Sequence, residues 1–216
     1  MIITYHGVEC FKISQGDLTL ALNPISKDST FKPTRFGADI TLITTNHPDF
    51  NGRDQTSRGD KSSFVIDGPG EYETKNVFIK GFLSEGPALS SQAGRQINTI
   101  YLISFEGINL CFLGALANAT LSDESLETME NIDILFVPIS GASIKDGVST
   151  LDPASAYKLA ISLEPSVIIP MHYTKITLGQ FLKEGGETKV DSFDKFVVKK
   201  KDLDNKESEI VVLKEE

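Results

Sequence analysis

The feature that most restricts the fold is a succession of short runs of β-branched and aromatic residues, each bounded by turn residues. Runs of this kind are typical of β-strands, so the chain is expected to be built mainly on sheets. The connection Gln15-Gly16-Asp17 has the length and composition that hairpins use, which favours antiparallel pairing among the first strands. The expected strands are residues 2–5, 9–14, 18–22, 39–44, 63–66, 76–82, 98–104, 108–113, 133–138 and 166–170.

Helices are fewer and are expected mostly in the second half of the chain, over residues 122–130, 152–163 and 177–186. Asp152 suits the N-cap of the middle helix, and Pro153 suits its first turn. A strand-rich first half followed by strand–helix alternation favours two sheets covered by helices.

The pattern favours a single domain over residues 1–216, because no internal repeat and no Gly-, Ser- or Pro-rich linker divides the chain. Polar loops are expected at 27–37, 51–62 and 83–97. Near the end, KFVVKKKDL and SEIVVLK flank DNKE, which predicts a final hairpin.

The net charge of −9 disfavours binding to nucleic acid or to an anionic membrane surface, since both carry negative charge. No apolar stretch approaches the roughly 20 residues needed to cross a bilayer, and the start has no cationic segment followed by a long apolar one. Cys10 and Cys111 belong to no CxxC pair and are interpreted as buried free thiols. We therefore expect a cytoplasmic protein.

Function centres on TTNHPDFNG, residues 44–52, which follows the apolar run ADITLIT. His47 and Asp49 are residue types that bind metals. Alternatively, Asp49 could cap backbone N–H groups in an ordinary turn. His172, which follows the strand expected at 166–170, could likewise donate a hydrogen bond to a nearby carbonyl. For metal-free chemistry the chain offers no GxSxG elbow, no phosphate-binding glycine loop and no cysteine beside a histidine in sequence.

Several stretches, taken in order, resemble the metallo-β-lactamase superfamily, and within it the small cytoplasmic hydrolases similar to L-ascorbate-6-phosphate lactonase. They are ITYHGVECFKI, ADITLITTNHPDFNG, GPGEYETKNVFIKG, NTIYLI, CFLGAL, DILFVPISG and VIIPMHYT. The resemblance implies an α+β fold, a four-layer αββα sandwich with the active site at one edge between the sheets. Active members resemble one another in binding two divalent metals, usually zinc, iron or manganese.

The resemblance carries over only part of the family's metal ligands. The positions kept are His47, Asp49 and His172. The family's other ligands would fall on Thr45, on Phe50, on Ala115 and within residues 82–90, which contain no histidine. Phe50 and Ala115 have no lone pair to donate, and a Thr hydroxyl is a poor zinc ligand beside imidazole. The whole chain has three histidines, fewer than a two-metal site of this type uses, so we expect that site to be lost.

Two hypotheses follow for the function. In the first, the chain is a catalytically impaired relative of zinc-dependent hydrolases, without a cofactor, kept for binding a small anionic ligand or a protein partner, or for homo-oligomeric assembly. Arg53, Arg58 and Arg95 are the only indications of anion contact in the loops. In the second, the three kept ligands hold one zinc or manganese ion weakly, and a metal-bound hydroxide attacks a lactone or phosphoester bond.

Overall fold

The computed structural model describes residues 1–89, 95–141, 147–188 and 190–216. In chain order the strands are β1 (Ile2–Tyr5), β2 (Phe11–Gln15), β3 (Leu18–Leu22), β4 (Ile40–Leu42), β5 (Phe64–Ile66), β6 (Gly70–Thr74), β7 (Val77–Leu89), β8 (Arg95–Phe105), β9 (Ile108–Phe112), β10 (Ile134–Pro138), β11 (Val148–Ser149), β12 (Val167–Met171), β13 (Ser192–Phe193), β14 (Phe196–Val197), β15 (Glu209–Ile210) and β16 (Val212–Leu213). The α-helices are α1 (Asp123–Thr128), α2 (Pro153–Ser162) and α3 (Lys175–Glu184), and 3₁₀ turns occur at Arg53–Gln55 and Lys200–Asp202.

Two mixed sheets carry the fold. The first has the order β14-β1-β2-β3-β4-β5, in which β1, β2 and β3 are antiparallel and β3, β4 and β5 run parallel. The second has the order β11-β7-β8-β9-β10-β12-β15, with β6 also paired to β7, and its strands β9, β10 and β12 run parallel. In each sheet the parallel strands end at a common edge, and the loops that follow β4, β9 and β12 form the candidate site.

The main apolar core lies between the two sheets. Phe11 of the first sheet meets Phe136 of the second edge-on, with ring centroids 4.8 Å apart. Strands β4, β10 and β12 are buried at every position, as their unbroken apolar runs predict.

The outer faces of the two sheets are covered differently. Over the second sheet, Ala156 and Ala160 of α2 and Phe181 of α3 pack in one apolar cluster with Leu135 and Ile168.

Over the first sheet, loops with a 3₁₀ turn form the cover. There, Thr41 of β4 donates a hydrogen bond of 2.8 Å to the Thr56 hydroxyl, and Ala38 N–H donates to the Thr56 carbonyl at 2.9 Å.

The sequence signals for α2 are confirmed in detail. The Asp152 carboxylate accepts bonds of 3.1 Å from the backbone N–H groups of Ala154 and Ser155, and Pro153 is the first helical residue. A hydrogen bond from the Ser155 side chain, together with these backbone bonds, holds the pKa of Asp152 below its ordinary value. Helix α3 begins at Lys175, two residues before the expected start, because Thr174 caps it through the N–H of Thr177.

The expected loop 83–97 is wrong over most of its length. Strand β7 continues to Leu89 and β8 begins at Arg95, while residues 90–94 and the Arg95 side chain lie outside the described part of the chain. A register shift between Glu85 and Ala88 accommodates Gly86 and Pro87 within the ladder. A Cβ at Gly86 would lie 2.6 Å from the carbonyl oxygen of Gln96, so β7 and β8 can approach this closely only with glycine at this position.

The expected final hairpin is also wrong. Strand β14 pairs with β1 in the first sheet, whereas β15 pairs with β12 in the second. The two halves of this segment pair with the edges of different sheets, so both form strands without pairing with each other. A sequence pattern identifies the strands but not the edges that they join.

Cys10 and Cys111 are free and buried, as the sequence predicts. Within the described ranges, no helix has the length and apolar character needed to span a membrane.

Candidate functional site

The loop after β4 is held in place by backbone contacts on both sides. Phe50 N–H and Asn51 N–H both donate to the His47 carbonyl, at 2.9 and 2.8 Å, which closes a tight turn. Gly52 N–H donates to the Pro24 carbonyl at 2.6 Å. A Cβ at Gly52 would lie 2.5 Å from the backbone of Ile25, so the two segments can approach this closely only with glycine.

His47 and Asp49 lie together in this loop. His47 Nδ1 is 3.5 Å from Asp49 Oδ2 and 3.3 Å from the Asp49 backbone nitrogen, which donates to it. The other carboxylate oxygen of Asp49 accepts a bond of 2.5 Å from the Ser29 hydroxyl. The Asp49 carboxylate, only 3% exposed, therefore accepts a hydrogen bond from one hydroxyl and lies close to an imidazole nitrogen.

His172 lies just past β12 in a left-handed backbone conformation, with φ of 53°. Its backbone N–H donates to the Val8 carbonyl at 2.6 Å, which ties the end of β12 to the β1–β2 turn. Its ring Nδ1 is 3.1 Å from Glu9 Oε1. The histidine is thus bonded to a carbonyl through its backbone N–H, whereas its side chain contacts a buried carboxylate and not the carbonyl considered from the sequence.

Glu9 anchors a polar network that sequence reasoning missed. It is fully buried, and its Oε2 accepts a bond of 2.8 Å from Asn23 Nδ2. Asn23 also donates to the Thr44 hydroxyl at 2.9 Å and accepts from Thr44 N–H at 2.9 Å. Through these bonds one carboxylate links the β1–β2 turn to the ends of β3, β4 and β12. A usable signal was an acidic residue inside the apolar stretch GVECF, since a buried charge needs partners.

The space between the two histidines is filled by an aromatic ring. Phe50 is fully buried, and its ring centroid lies 5.6 Å from that of His47 and 5.9 Å from that of His172. It belongs to an apolar group that we call the site cluster, formed by Val8, Cys10, Ile25, Phe50, Ala115 and Val148. Two positions where the family resemblance calls for metal ligands, Phe50 and Ala115, therefore lie in a buried apolar cluster.

Thr45 stands at a third such position. Its side-chain oxygen is buried, and it has no hydrogen-bond partner among the described residues. Thr45 lines a cavity of about 450 Å³ together with Asn46, Asp67, Gln96 and Ile97. Most of the exposed lining of this cavity is apolar, and Asp67, the one ionisable residue among the described residues that line it, is paired with Arg53.

The residues present do not fit a two-metal centre. Among the residues that the structure describes, no three His, Cys, Asp or Glu side chains are grouped so that they could hold an ion. Of the three ligands that the sequence retains, His47 and Asp49 lie together, while His172 lies across the Phe50 ring and pairs with Glu9. A metal needs donors on a common centre, whereas Phe50 and Ala115 offer none.

Two of the three loop arginines have partners away from the site, and the side chain of the third, Arg95, lies outside the described residues. Arg53 forms a 2.7 Å ion pair with Asp67, and Arg58 lies in a turn with Lys61 against Gly37. Cys10 is fully buried, and burial raises the pKa of its thiol to about 12, which disfavours the nucleophilic thiolate.

Comparison with known proteins identifies the class. A family model described as the beta-lactamase superfamily domain matches residues 2–172. The chain therefore belongs to the beta-lactamase superfamily. The expected α+β fold, a sandwich of the metallo-β-lactamase type, is confirmed by solved structures of that fold. Among the described residues, helices cover the second sheet, whereas loops and a 3₁₀ turn take the place of the helical layer expected over the first.

Particular relatives carry hydrolase names. The UPF0173 metal-dependent hydrolase of Listeria monocytogenes is 25% identical over 207 residues, covering 82% of this chain and 87% of the relative. A crystal structure of a candidate zinc-dependent hydrolase from Thermotoga maritima matches with a TM-score of 0.73 and 28% identity, covering 98% of this chain and 97% of that one. A candidate metal-dependent hydrolase from Parabacteroides distasonis, at 20% identity and a TM-score of 0.62, covers 86% and 89% and shows the fold alone.

Proposed function

We propose that this chain is a non-catalytic member of a family of metal-dependent hydrolases, which has exchanged its two-metal centre for a packed interior and acts by binding or assembly. The observation that carries the proposal is the position of Phe50. Its ring is fully buried between His47 and His172, where a donor would be needed, and packs in the site cluster with Ala115.

The remaining donors support the same proposal, because they already have partners. The Asp49 carboxylate accepts from Ser29, the His47 ring accepts from the Asp49 backbone N–H, and His172 is bonded to Glu9. A metal would have to compete with contacts that are intact in the folded chain. Opening the space also requires Phe50 to leave its site, and exposing a buried Phe side chain costs about 1.5–3 kcal/mol.

The second candidate function is a hydrolase with one weakly held zinc or manganese ion. Two observations favour it: the relatives are named metal-dependent hydrolases, and His47 and Asp49 approach each other within 3.5 Å. It requires His172 to leave Glu9 and the Phe50 ring to rotate away, so that three donors can share one centre.

Metal analysis separates the two functions. Protein produced with added zinc and manganese is analysed by elemental mass spectrometry, beside the variants His172→Ala and His6→Ala. We expect well under one ion per chain in all three, and no hydrolysis of lactone or phosphoester substrates above the uncatalysed rate. One ion per chain that is lost in His172→Ala and kept in His6→Ala would overturn the proposal in favour of the mononuclear enzyme.

The proposal includes a reducing, cytoplasmic environment, since Cys10 and Cys111 are both free thiols enclosed in apolar clusters. The proposed role in assembly also needs an exposed apolar surface, and strands β7 and β8 offer one. Leu83 and Ile97 on the β7–β8 pair are 62% and 63% exposed, which is unusual for large apolar side chains on neighbouring strands.

A further inference from the structure

A second cavity, of about 440 Å³, opens against the first sheet outside the candidate metal centre. We call it the basic cavity and define it by six of its lining residues: His6, Lys12, Lys32, Arg35, Phe36 and Glu216. None of the residues proposed as metal ligands lines it. Its volume is within the range of sites for small organic molecules.

The charge of this cavity opposes that of the chain. The protein carries a net charge of −9, yet Lys12, Lys32 and Arg35 come together at one opening. Glu216 is the single acidic residue among the lining residues. Among the side chains, three cations face one carboxylate, a balance that favours small anions.

The segment that carries two of these cations is fixed to the sheet. Ile25 N–H donates to the Thr34 hydroxyl at 2.8 Å, and Thr34 N–H donates back to the Ile25 carbonyl at 3.1 Å. Cys10 Sγ lies 3.3 Å from the same hydroxyl. Because Thr34 is buried and bonded in this way, Lys32 and Arg35 start from a defined backbone position.

One wall of the cavity is aromatic. The Phe36 ring has Lys12 Nζ 5.6 Å from its centroid, and the His6 ring centroid lies 4.6 Å away. Burial lowers the pKa of His6, and nearby Lys12 and Lys32 lower it further, although Glu216 acts in the opposite direction. The lowered pKa favours the neutral form of His6, which adds no charge to the cavity.

Glu216 already places oxygen acceptors in this cavity. Lys32 Nζ donates to the Glu216 backbone oxygen at 3.2 Å, and Glu216 Oε2 lies 3.6 Å from His6 Nε2. The Glu216 side chain is half exposed, so it can swing out into water. Glu216 thus occupies positions in the cavity that the oxygens of a bound ligand could take instead.

We propose that the basic cavity binds a small organic dianion, whose carboxylate or phosphate oxygens contact Lys12, Lys32 and Arg35 while its apolar part lies against Phe36. The ligand displaces the Glu216 side chain as it enters. This site is separate from the candidate metal centre, so its test is independent of whether the chain binds metal.

Calorimetric titration with phenyl phosphate and with phthalate tests the site and distinguishes phosphate from dicarboxylate ligands. Benzoate, which carries one charge, is the control ligand. We expect saturable binding of at least one dianion, and weakening of about tenfold or more in Lys12→Gln and in Arg35→Gln, the size of one lost charge-assisted bond. Glu216→Gln should tighten binding by about threefold to tenfold, since it removes a surface ion contact that competes with the ligand.

Lys158→Gln is the matched control, because Lys158 is an exposed lysine on α2 outside the cavity, and binding should not change. Amide chemical-shift changes at Thr34 and Phe36 in the unmodified protein locate the site without any variant. The proposal is wrong if neither dianion binds to the unmodified protein or to Glu216→Gln. It is equally wrong if binding is unaffected by Lys12→Gln and Arg35→Gln, or if the shift changes fall elsewhere.

Discussion

At the scale of single residues, the contact between Glu9 and His172 joins parts of the chain that are 163 positions apart. Both side chains are buried, and Glu9 also accepts from Asn23. Breaking a buried pair leaves its remaining partner without compensation, which costs more than the pair itself contributes. Glu9 is therefore expected to stabilise the site loops even though it matches no ligand position.

Glu9→Ala should lower the free energy of unfolding by about 3 kcal/mol or more, because it removes the buried carboxylate that pairs with His172 and accepts from Asn23. Urea unfolding followed by circular dichroism measures the change. Glu73→Ala is the control, since Glu73 is exposed on β6, and it should shift the free energy by less than about 0.5 kcal/mol. Equal losses in the two variants would show that the Glu9 network contributes nothing.

A second residue-scale prediction concerns recovery of the metal centre. The triple variant Thr45→His, Phe50→His and Ala115→Asp places donors at three positions where the resemblance expects them. Without metal it should be less stable, because a carboxylate and an imidazole replace apolar side chains in a dry cluster. Zinc at one hundred times its dissociation constant should then restore about 2.7 kcal/mol.

Thermal unfolding with and without zinc measures this recovery, and the unmodified protein is the control that should not respond. A triple variant that folds and shows no gain in zinc affinity would mean that the alignment of these positions is incorrect.

At this scale the sequence predicts the composition of the site but not its contacts. The shortage of histidines is visible from the residue count alone, and so is the loss of donors at Phe50 and Ala115. That Phe50 lies between His47 and His172 depends on loops separated by more than a hundred residues, which no local pattern encodes. The partner of His172 could not be chosen from sequence for the same reason.

At the scale of elements, residues 190–216 bind the edges of both sheets. Val198 N–H donates to the Met1 carbonyl at 3.0 Å, and the Met1 amino group donates to the Val198 carbonyl at 2.8 Å. Strand β14 thus closes the β1 edge, while β15 closes the β12 edge. Sequence patterns identify most strands, because alternation is local, but edge pairing is decided by distant partners.

Two adjacent valines test this arrangement of the final strands. Val198 is 1% exposed and Val197 is 59% exposed. Val198→Ala should cost about 2 kcal/mol of unfolding free energy, since it removes buried methyl groups from the main core. Val197→Ala should cost less than about 1 kcal/mol. Chemical denaturation of both variants gives the comparison, and a reversed order would contradict the pairing of β14 with β1.

At the scale of the whole molecule, the two cysteines report on different parts of the interior. Cys10 belongs to the site cluster, and Cys111 of β9 faces the helices over the second sheet. Burial raises the pKa of both thiols, that of Cys10 to about 12. Because these folded-state values lie above the ordinary value of 9.0, the associated stability is complete below pH 9 and is lost as the pH rises further.

We predict that the chain unfolds as one unit, since a shared core and residues 190–216 join the sheets. At pH 8 a thiol reagent should modify neither cysteine quickly in the native protein. With increasing urea, Cys10 and Cys111 should become reactive together, and peptide mass spectrometry resolves the two. Modification of Cys10 at clearly lower urea than Cys111 would show that the site cluster opens separately. The interior around the site would then be too loose to exclude a metal, contrary to the packed interior proposed above.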